Sequence, residues 1–211
     1  MRTILMQVSN MTIGHGQRVL FSGLDLEVCK GDCIMLCGAN GSGKTSLLKA
    51  LARITPTEGE IVMVPTRIPK IKGFTLKEFI RLTEKDREKV EYAMKALGIS
   101  GLSDRDISTL SDGEFQKGII AAALARRASI ILLDEPTAFL DPDNRISVLR
   151  CLQNLCTSTG CGVIFSTHDL HDAARFCNKA ITIGDDGKAR CTAGSIESAI
   201  SSIFPEAGLL Q

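Results

Sequence analysis

The chain has 211 residues, which suits one large domain or a domain carrying a modest insertion, and its 44% apolar content is ample for a buried core. A formal net charge of +1 with acids and bases interspersed, and only 4% aromatic residues, offer neither a basic face nor base-stacking platforms, so nucleic acid is not expected as a partner. No apolar run approaches the roughly 18–20 residues that cross a bilayer, and the first ten residues lack a charged stretch followed by an apolar signal core. A soluble, cytosolic chain is therefore expected, with any membrane role exercised through another protein.

Eight cysteines include Cys29, Cys33 and Cys37 at a four-residue spacing and Cys151, Cys156 and Cys161 at a five-residue spacing. Neither a tight Cys-x-x-Cys pair nor a companion His-x-x-x-His is present, so the pattern does not read as a zinc site. Cys33 and Cys37 fall in an apolar run, where a thiol behaves as a small buried hydrophobe. Core thiols in a reducing compartment are expected.

In chain order, residues 19–28 read as strand-turn-strand and Lys30-Gly31-Asp32 as a turn. Residues 33–37 form a short, nearly all-apolar run, as in a strand buried on both faces, and a helix follows from about Lys44 to Arg53. Thr55-Pro56-Thr57-Glu58-Gly59 breaks that helix before strand-like residues 60–64. From Lys72 the sequence turns polar and helix-rich. Val90, Ala93, Met94 and Leu97 follow helical spacing, with Gly98 at the cap position. Strand rhythm returns at residues 130–133, and Asp141 with Pro142 opens a helix carrying Ile146, Leu149, Leu152 and Leu155. Two more strands are expected at residues 163–166 and 180–183. This order predicts an α/β fold in which residues 1–71 and 126–211 build a mostly parallel sheet with an N-terminal antiparallel portion, and residues 72–125 form a helical insertion.

Gly38-Ala39-Asn40-Gly41-Ser42-Gly43-Lys44-Thr45 fits the phosphate-loop pattern G-x-x-x-x-G-K-[ST] completely, with Ser46 next in the helix. Glycines let the backbone turn sharply and bring its amides to phosphate oxygens, and the following helix points its positive end at them. Lys44 can reach the β- and γ-phosphates of ATP, and the Thr45 hydroxyl can ligate Mg²⁺. The loop follows an apolar strand and opens a helix, as this chemistry requires. Further on, Ile130-Ile131-Leu132-Leu133-Asp134-Glu135 is an apolar strand ending in two carboxylates. Ligands gather at the carboxyl ends of parallel strands, so Asp134 is expected near Thr45, holding Mg²⁺, and Glu135 beyond it, polarising the attacking water.

Together these residues resemble the ATP-binding cassette (ABC) ATPases, which carry the P-loop, RecA-like fold. Leu110-Ser111-Asp112-Gly113-Glu114 resembles that family's Leu-Ser-Gly-Gly-Gln signature, residues 138–141 resemble its D-loop with Asp141, and His168 stands where its switch histidine follows a strand. The resemblance spans nearly the whole chain. It implies Mg²⁺-dependent hydrolysis of ATP by a head-to-tail homodimer, each nucleotide lying between one copy's phosphate loop and the other's signature. Ser111, Asp112, Gly113 and Glu114 would then contact ATP bound to the partner copy, and His168 would sense the γ-phosphate within its own copy.

Three positions depart from the family pattern. His15 stands where a tyrosine usually stacks on adenine, and Thr66 stands where a glutamine usually serves Mg²⁺ and water. The stretch around residues 59–64 is compressed, so the peripheral β structure should be trimmed. Residues 134–141, the Val-Pro-Thr-x-x-Pro run at 64–69 and Phe74-Thr75-Leu76 are most similar to the ATPases of metal-chelate importers serving iron-siderophore, haem or vitamin uptake. The implied partner is a transmembrane permease, contacted between about Thr66 and Arg81, which would hold this cytoplasmic chain at the inner face of the cell membrane. Leu20-Phe21-Ser22-Gly23-Leu24 also resembles haem-export ATPases of cytochrome c maturation, and a soluble assembly ATPase of the iron-sulfur type is a further alternative.

Overall fold

The computed structural model describes residues 2–16, 18–65, 68–194, 196, 200 and 201; the side chain of His15 and all of Thr66 lie outside the described residues. Strands β1 (Ile4–His15) and β2 (Arg18–Cys29) pair antiparallel as a two-stranded sheet. In β2 the alternation of Phe21, Leu24, Leu26 and Val28 with exposed or half-buried residues gives the sheet one apolar face. The strand-turn-strand reading of residues 19–28 gives way to one twelve-residue strand. The punctuation at Gly23 is real but local: Met11 pairs with Leu24 and Ile13 with Phe21, and Gly23 at φ 78 lies in the resulting bulge.

A six-stranded sheet follows, built from β3 (Cys33–Gly38), β4 (Glu60–Val64), β5 (Ala128–Leu133), β6 (Gly162–Ser166), β7 (Lys179–Ile183) and β8 (Ala189–Ala193) in the order β4-β5-β6-β3-β7-β8. All pairings are parallel except β7 with β8. The polar, partly exposed Ala-Arg-Cys-Thr-Ala of β8 lacks the apolar run of the other strands, which is why sequence rhythm alone does not mark it.

Period two divides the core between the two faces of this sheet. Ile34, Leu36, Ile130, Leu132 and Ile164 pack with Leu5, Phe21, Leu24 and the helix α1 (Lys44–Leu51). Met35, Cys37, Ile131, Leu133 and Phe165 pack against α3 (Arg87–Ala96), α4 (Asp112–Ala125) and α5 (Pro142–Thr159). Helix α4 is buried almost all round because the sheet lies on one side and α2 (Leu76–Arg81) and α3 on the others. Gly118 permits the close approach of α2, since a Cβ there would lie 2.5 Å from Leu76 Cδ1. A short helix, α6 (Leu170–Ala174), joins β6 to β7. Among the described residues no helix is long and apolar enough to cross a membrane. All eight cysteines are free thiols, six of them buried, and burial alone pushes Cys37 and Cys161 up to about 12.

At the end of the sheet away from the phosphate loop, the turn between β2 and β3 is locked by a buried carboxylate. Asp32, 1% exposed, accepts from the Cys29 amide at 2.8 Å, from Asn178 Nδ2 at 2.7 Å and from Lys179 Nζ at 2.7 Å. Asn178 Oδ1 in turn accepts from the Cys33 amide at 2.8 Å, so one cluster joins the starts of β3 and β7. Removing the acid leaves the Lys179 ammonium without its carboxylate, with only the Glu27 carbonyl as partner, and leaves the buried Cys29 amide unpaired. Asp32→Ala is expected to lower unfolding stability by about 3–5 kcal/mol in urea titration; a loss below about 1 kcal/mol, the range of an exposed pair, would contradict this role.

Candidate nucleotide site

The phosphate loop occupies the carboxyl end of β3 at the middle of the sheet, and α1 starts at Lys44. Gly43 adopts φ 109, and a Cβ there would lie 3.3 Å from Leu20 Cβ; a Cβ on Gly38 would lie 2.6 Å from Ser42 Oγ and 3.1 Å from Ile183 Cβ. Only glycine permits this compression. Gly43 caps α1 without a side-chain hydrogen bond, and the Leu47 amide bonds the Gly43 carbonyl. The amides of Lys44, Thr45 and Ser46, in the first turn, have no intrahelical acceptor and give an anion the positive end of the helix. Ser42 Oγ is buried in the same loop and has no hydrogen-bond partner among the described residues.

Lys44, 7% exposed, folds over the loop and donates from Nζ to the carbonyls of Gly38 at 2.8 Å and Ala39 at 3.2 Å. Burial lowers its pKa, and the carboxylates of Glu135 and Asp134 work against that shift.

Two further strand ends complete this side of the site. Thr45 Oγ1 donates to Asp134 Oδ2 at 2.9 Å, and Ser166 Oγ donates to Asp134 Oδ1 at 2.8 Å. The Glu135 amide donates to Ser166 Oγ at 2.8 Å, with Glu135 itself at φ 49, and Glu135 Oε1 lies 2.8 Å from His168 Nε2. Asp134 thus stands beside Thr45, as expected, and the same run of hydrogen bonds brings in Glu135 and His168. Ser166 is the member that sequence reading passed over: its signal is a lone hydroxyl ending the otherwise apolar Gly-Val-Ile-Phe run, two residues before His168.

The signature residues form a separate group. Ser111 caps α4 in a reciprocal box with Glu114, whose carboxylate is held below its usual range chiefly by the Ser111 amide. Asp112 pairs with Lys70 at 2.7 Å, and Lys70 also donates to the Leu110 carbonyl at 2.7 Å; Glu114 lies 3.5 Å from Arg105. Among the described residues no hydrogen bond or ion pair links this group to the phosphate loop of the same chain. Its neighbour is instead the start of α5, where Asp141 accepts from the Asn144 amide at 3.0 Å and from Asn144 Nδ2 at 2.6 Å. Arg145 then reaches Asp169 at 2.8 Å, tying this turn to the residue after His168. Lys70, Arg105, Asn144 and Arg145 were not legible as site neighbours, because each is an ordinary charged or polar residue until the fold pairs it.

A family model described as "ABC transporter" matches residues 21–138. This chain belongs to the ABC transporter family. It is 30% identical, over 85% of its length, to the petrobactin import ATP-binding protein FpuD of Bacillus anthracis, covering 78% of that protein. It is 34% identical, over 80% of its length, to the zinc import ATP-binding protein ZnuC of Chelativorans sp. (strain BNC1), covering 64% of that protein. A solved structure described as a metal-chelate type ABC transporter in an inward-facing conformation superposes with a TM-score of 0.78 at 25% identity, covering 96% of this chain and 90% of the other. The chain is thus an ATP-binding member of this family and an ATPase.

The packing of the ABC signature against α5 supplies a test of this geometry. A Cβ on Gly113 would lie 2.6 Å from Asn144 Oδ1, the side chain that braces Asp141. Gly113→Ala should cost about 1–3 kcal/mol in thermal or urea unfolding, as an overpacked contact does. In an Asn144→Ala background the same substitution should cost well under half as much; an equal cost in both backgrounds would show that the two residues are not in contact.

Proposed function

We propose that two copies of this chain close head to tail over two ATP molecules, hydrolyse them, and so drive a membrane permease that takes up an iron chelate, haem or a vitamin. The observation that carries the reading is the single hydrogen-bonded chain from Thr45 through Asp134 and Ser166 to Glu135 and His168, beside an intact phosphate loop. In this reading Lys44 and the first amides of α1 bind the β- and γ-phosphates. The Thr45 hydroxyl and the Asp134 carboxylate are hard oxygen donors hydrogen-bonded to each other, a donor set that fits Mg²⁺. Bound there, Mg²⁺ would neutralise charge on the phosphate oxygens.

Glu135 orients a water whose oxygen attacks the γ-phosphorus. The bond from that phosphorus to the β-γ bridging oxygen breaks, ADP leaves, and the water's proton passes through the carboxylate of Glu135 to the phosphate product. His168 holds the Glu135 carboxylate and faces the same γ-phosphate. Because the signature of one copy makes no hydrogen bond or ion pair to its own phosphate loop among the described residues, Ser111 to Glu114 of a second copy supply the opposite wall, with the α4 N-terminus offering amides to the anion. Lys70 and Arg105 offset the acids that this chain carries in its signature.

A groove of about 470 Å³, lined among others by Ile68, Pro69, Phe115 and Phe139, lies between the helical block and the acidic loop, with Phe139 60% exposed. Exposed Ile71 extends the apolar surface beside it. We assign this surface to the permease, which places the chain at the inner face of the cell membrane. The petrobactin- and zinc-import relatives support uptake and a metal-bearing cargo.

Glu135→Gln should bind ATP with parental affinity and hydrolyse it at least about 100-fold more slowly, the scale on which loss of a general base acts; hydrolysis at the parental rate would refute the role of Glu135. Lys44→Ala should abolish measurable nucleotide binding in equilibrium titration, and unchanged affinity would refute the phosphate-loop assignment. Co-purification with a membrane-spanning protein, lost on Ile71→Asp, tests the docking surface.

A further inference from the structure

We propose that Ser166 is a positioning residue for hydrolysis, acting through the Asp134 carboxylate and the Glu135 main chain. The proposal rests on the reading of those two acids given above and adds the residue that orients them.

Ser166 ends β6, every residue of which is buried, and the serine itself is 0% exposed. A hydroxyl in that position must find partners within the protein, because an unpaired buried polar group is costly. Ser166 spends its one proton on Asp134 Oδ1 at 2.8 Å and a lone pair on the Glu135 amide at 2.8 Å. Two consequences follow. Asp134 is fixed at both oxygens, Oδ1 by Ser166 and Oδ2 by Thr45, so its carboxylate has one orientation. Glu135 is held at both ends by one three-residue segment, its amide on Ser166 and its carboxylate on His168.

That second grip matters because Glu135 sits at φ 49, a conformation that a residue with a Cβ adopts only when its surroundings enforce it. The Ser166 hydroxyl is the only side-chain acceptor of the Glu135 amide among the described residues. A valine would suit a buried strand at this place at least as well, and it would leave the Glu135 amide and one Asp134 oxygen unpaired. The serine therefore serves the acids and not the strand.

The comparison that isolates the hydroxyl is Ser166→Thr against Ser166→Val, two side chains of nearly equal shape. Four quantities are measured for each: kcat, KM for ATP, the Mg²⁺ concentration giving half-maximal rate, and ATP affinity in EDTA. The threonine variant should keep kcat within about threefold of the parent. The valine variant should lose about 10- to 100-fold in kcat and need more Mg²⁺, as supporting residues around metal sites do. ATP affinity in EDTA, set by the phosphate loop, should match in the two.

Equal kcat and equal Mg²⁺ dependence in the two variants would overturn the proposal, whatever their level relative to the parent. A valine variant whose ATP affinity in EDTA falls as far as its kcat would also overturn it, as a defect of fold. Should the valine variant not fold, Ser166→Ala replaces it against threonine. Glu135→Gln run alongside separates the two claims: parental activity there defeats the reading of Glu135, whereas an inactive Glu135→Gln with equal threonine and valine variants defeats only the role of Ser166.

Discussion

The parallel pairing of β5, β6 and β3 is the constraint on which the site depends. Parallel neighbours end on the same side, so three chain segments far apart in sequence deliver their next residues to one place. The register makes this specific. Leu133 pairs with Phe165, which sets Asp134 level with Ser166, and Leu36 pairs with Ser166, which sets the phosphate loop two residues beyond. A one-residue slip would turn Ser166 to the other side of the sheet and break the links to both acids. Apolar burial on both faces opposes that slip, because Ile131, Leu133 and Phe165 would exchange core with Ile130, Leu132 and Ile164.

Charge is arranged around this frame in two separate groups. At the strand ends, Asp134 and Glu135 face a buried ammonium on Lys44, so the cleft holds both signs and suits a polyanion accompanied by a divalent cation. At the signature, Asp112 and Glu114 stand where an anion would be repelled, and each is answered by a base from a different loop, Lys70 and Arg105. Such half-exposed pairs contribute little stability. Their effect is to orient: Lys70 joins the loop after β4 to the carbonyl just before α4, and Asn144 joins the same helix start to α5. The signature is thereby braced from the Lys70 loop on one side and from the Asp141 turn on the other.

Much of this was legible in the sequence because the strongest signals were local. The apolar run before Gly38, the glycine spacing and the acids after Leu133 each state their secondary structure and their chemistry together. The meeting of Thr45 with Asp134 followed from the rule for parallel sheets. Beside the charged neighbours of the signature, three things were not legible. The long β2 strand was obscured because Gly23 signals a turn and a bulge alike. The edge strand β8 carries no apolar run, being only half covered. Ser166 was invisible because a hydroxyl's partners depend on register, which one strand's sequence does not contain.

In the proposed head-to-tail arrangement a complete site forms only between two copies. Mg²⁺-dependent ATP hydrolysis by the purified chain, measured per chain across a wide range of protein concentration, tests it most directly. The rate per chain should rise with concentration and then level off, with Ser111→Ala lowering the plateau. A rate per chain independent of concentration, in a species that stays monomeric with ATP and Mg²⁺ present, would contradict it.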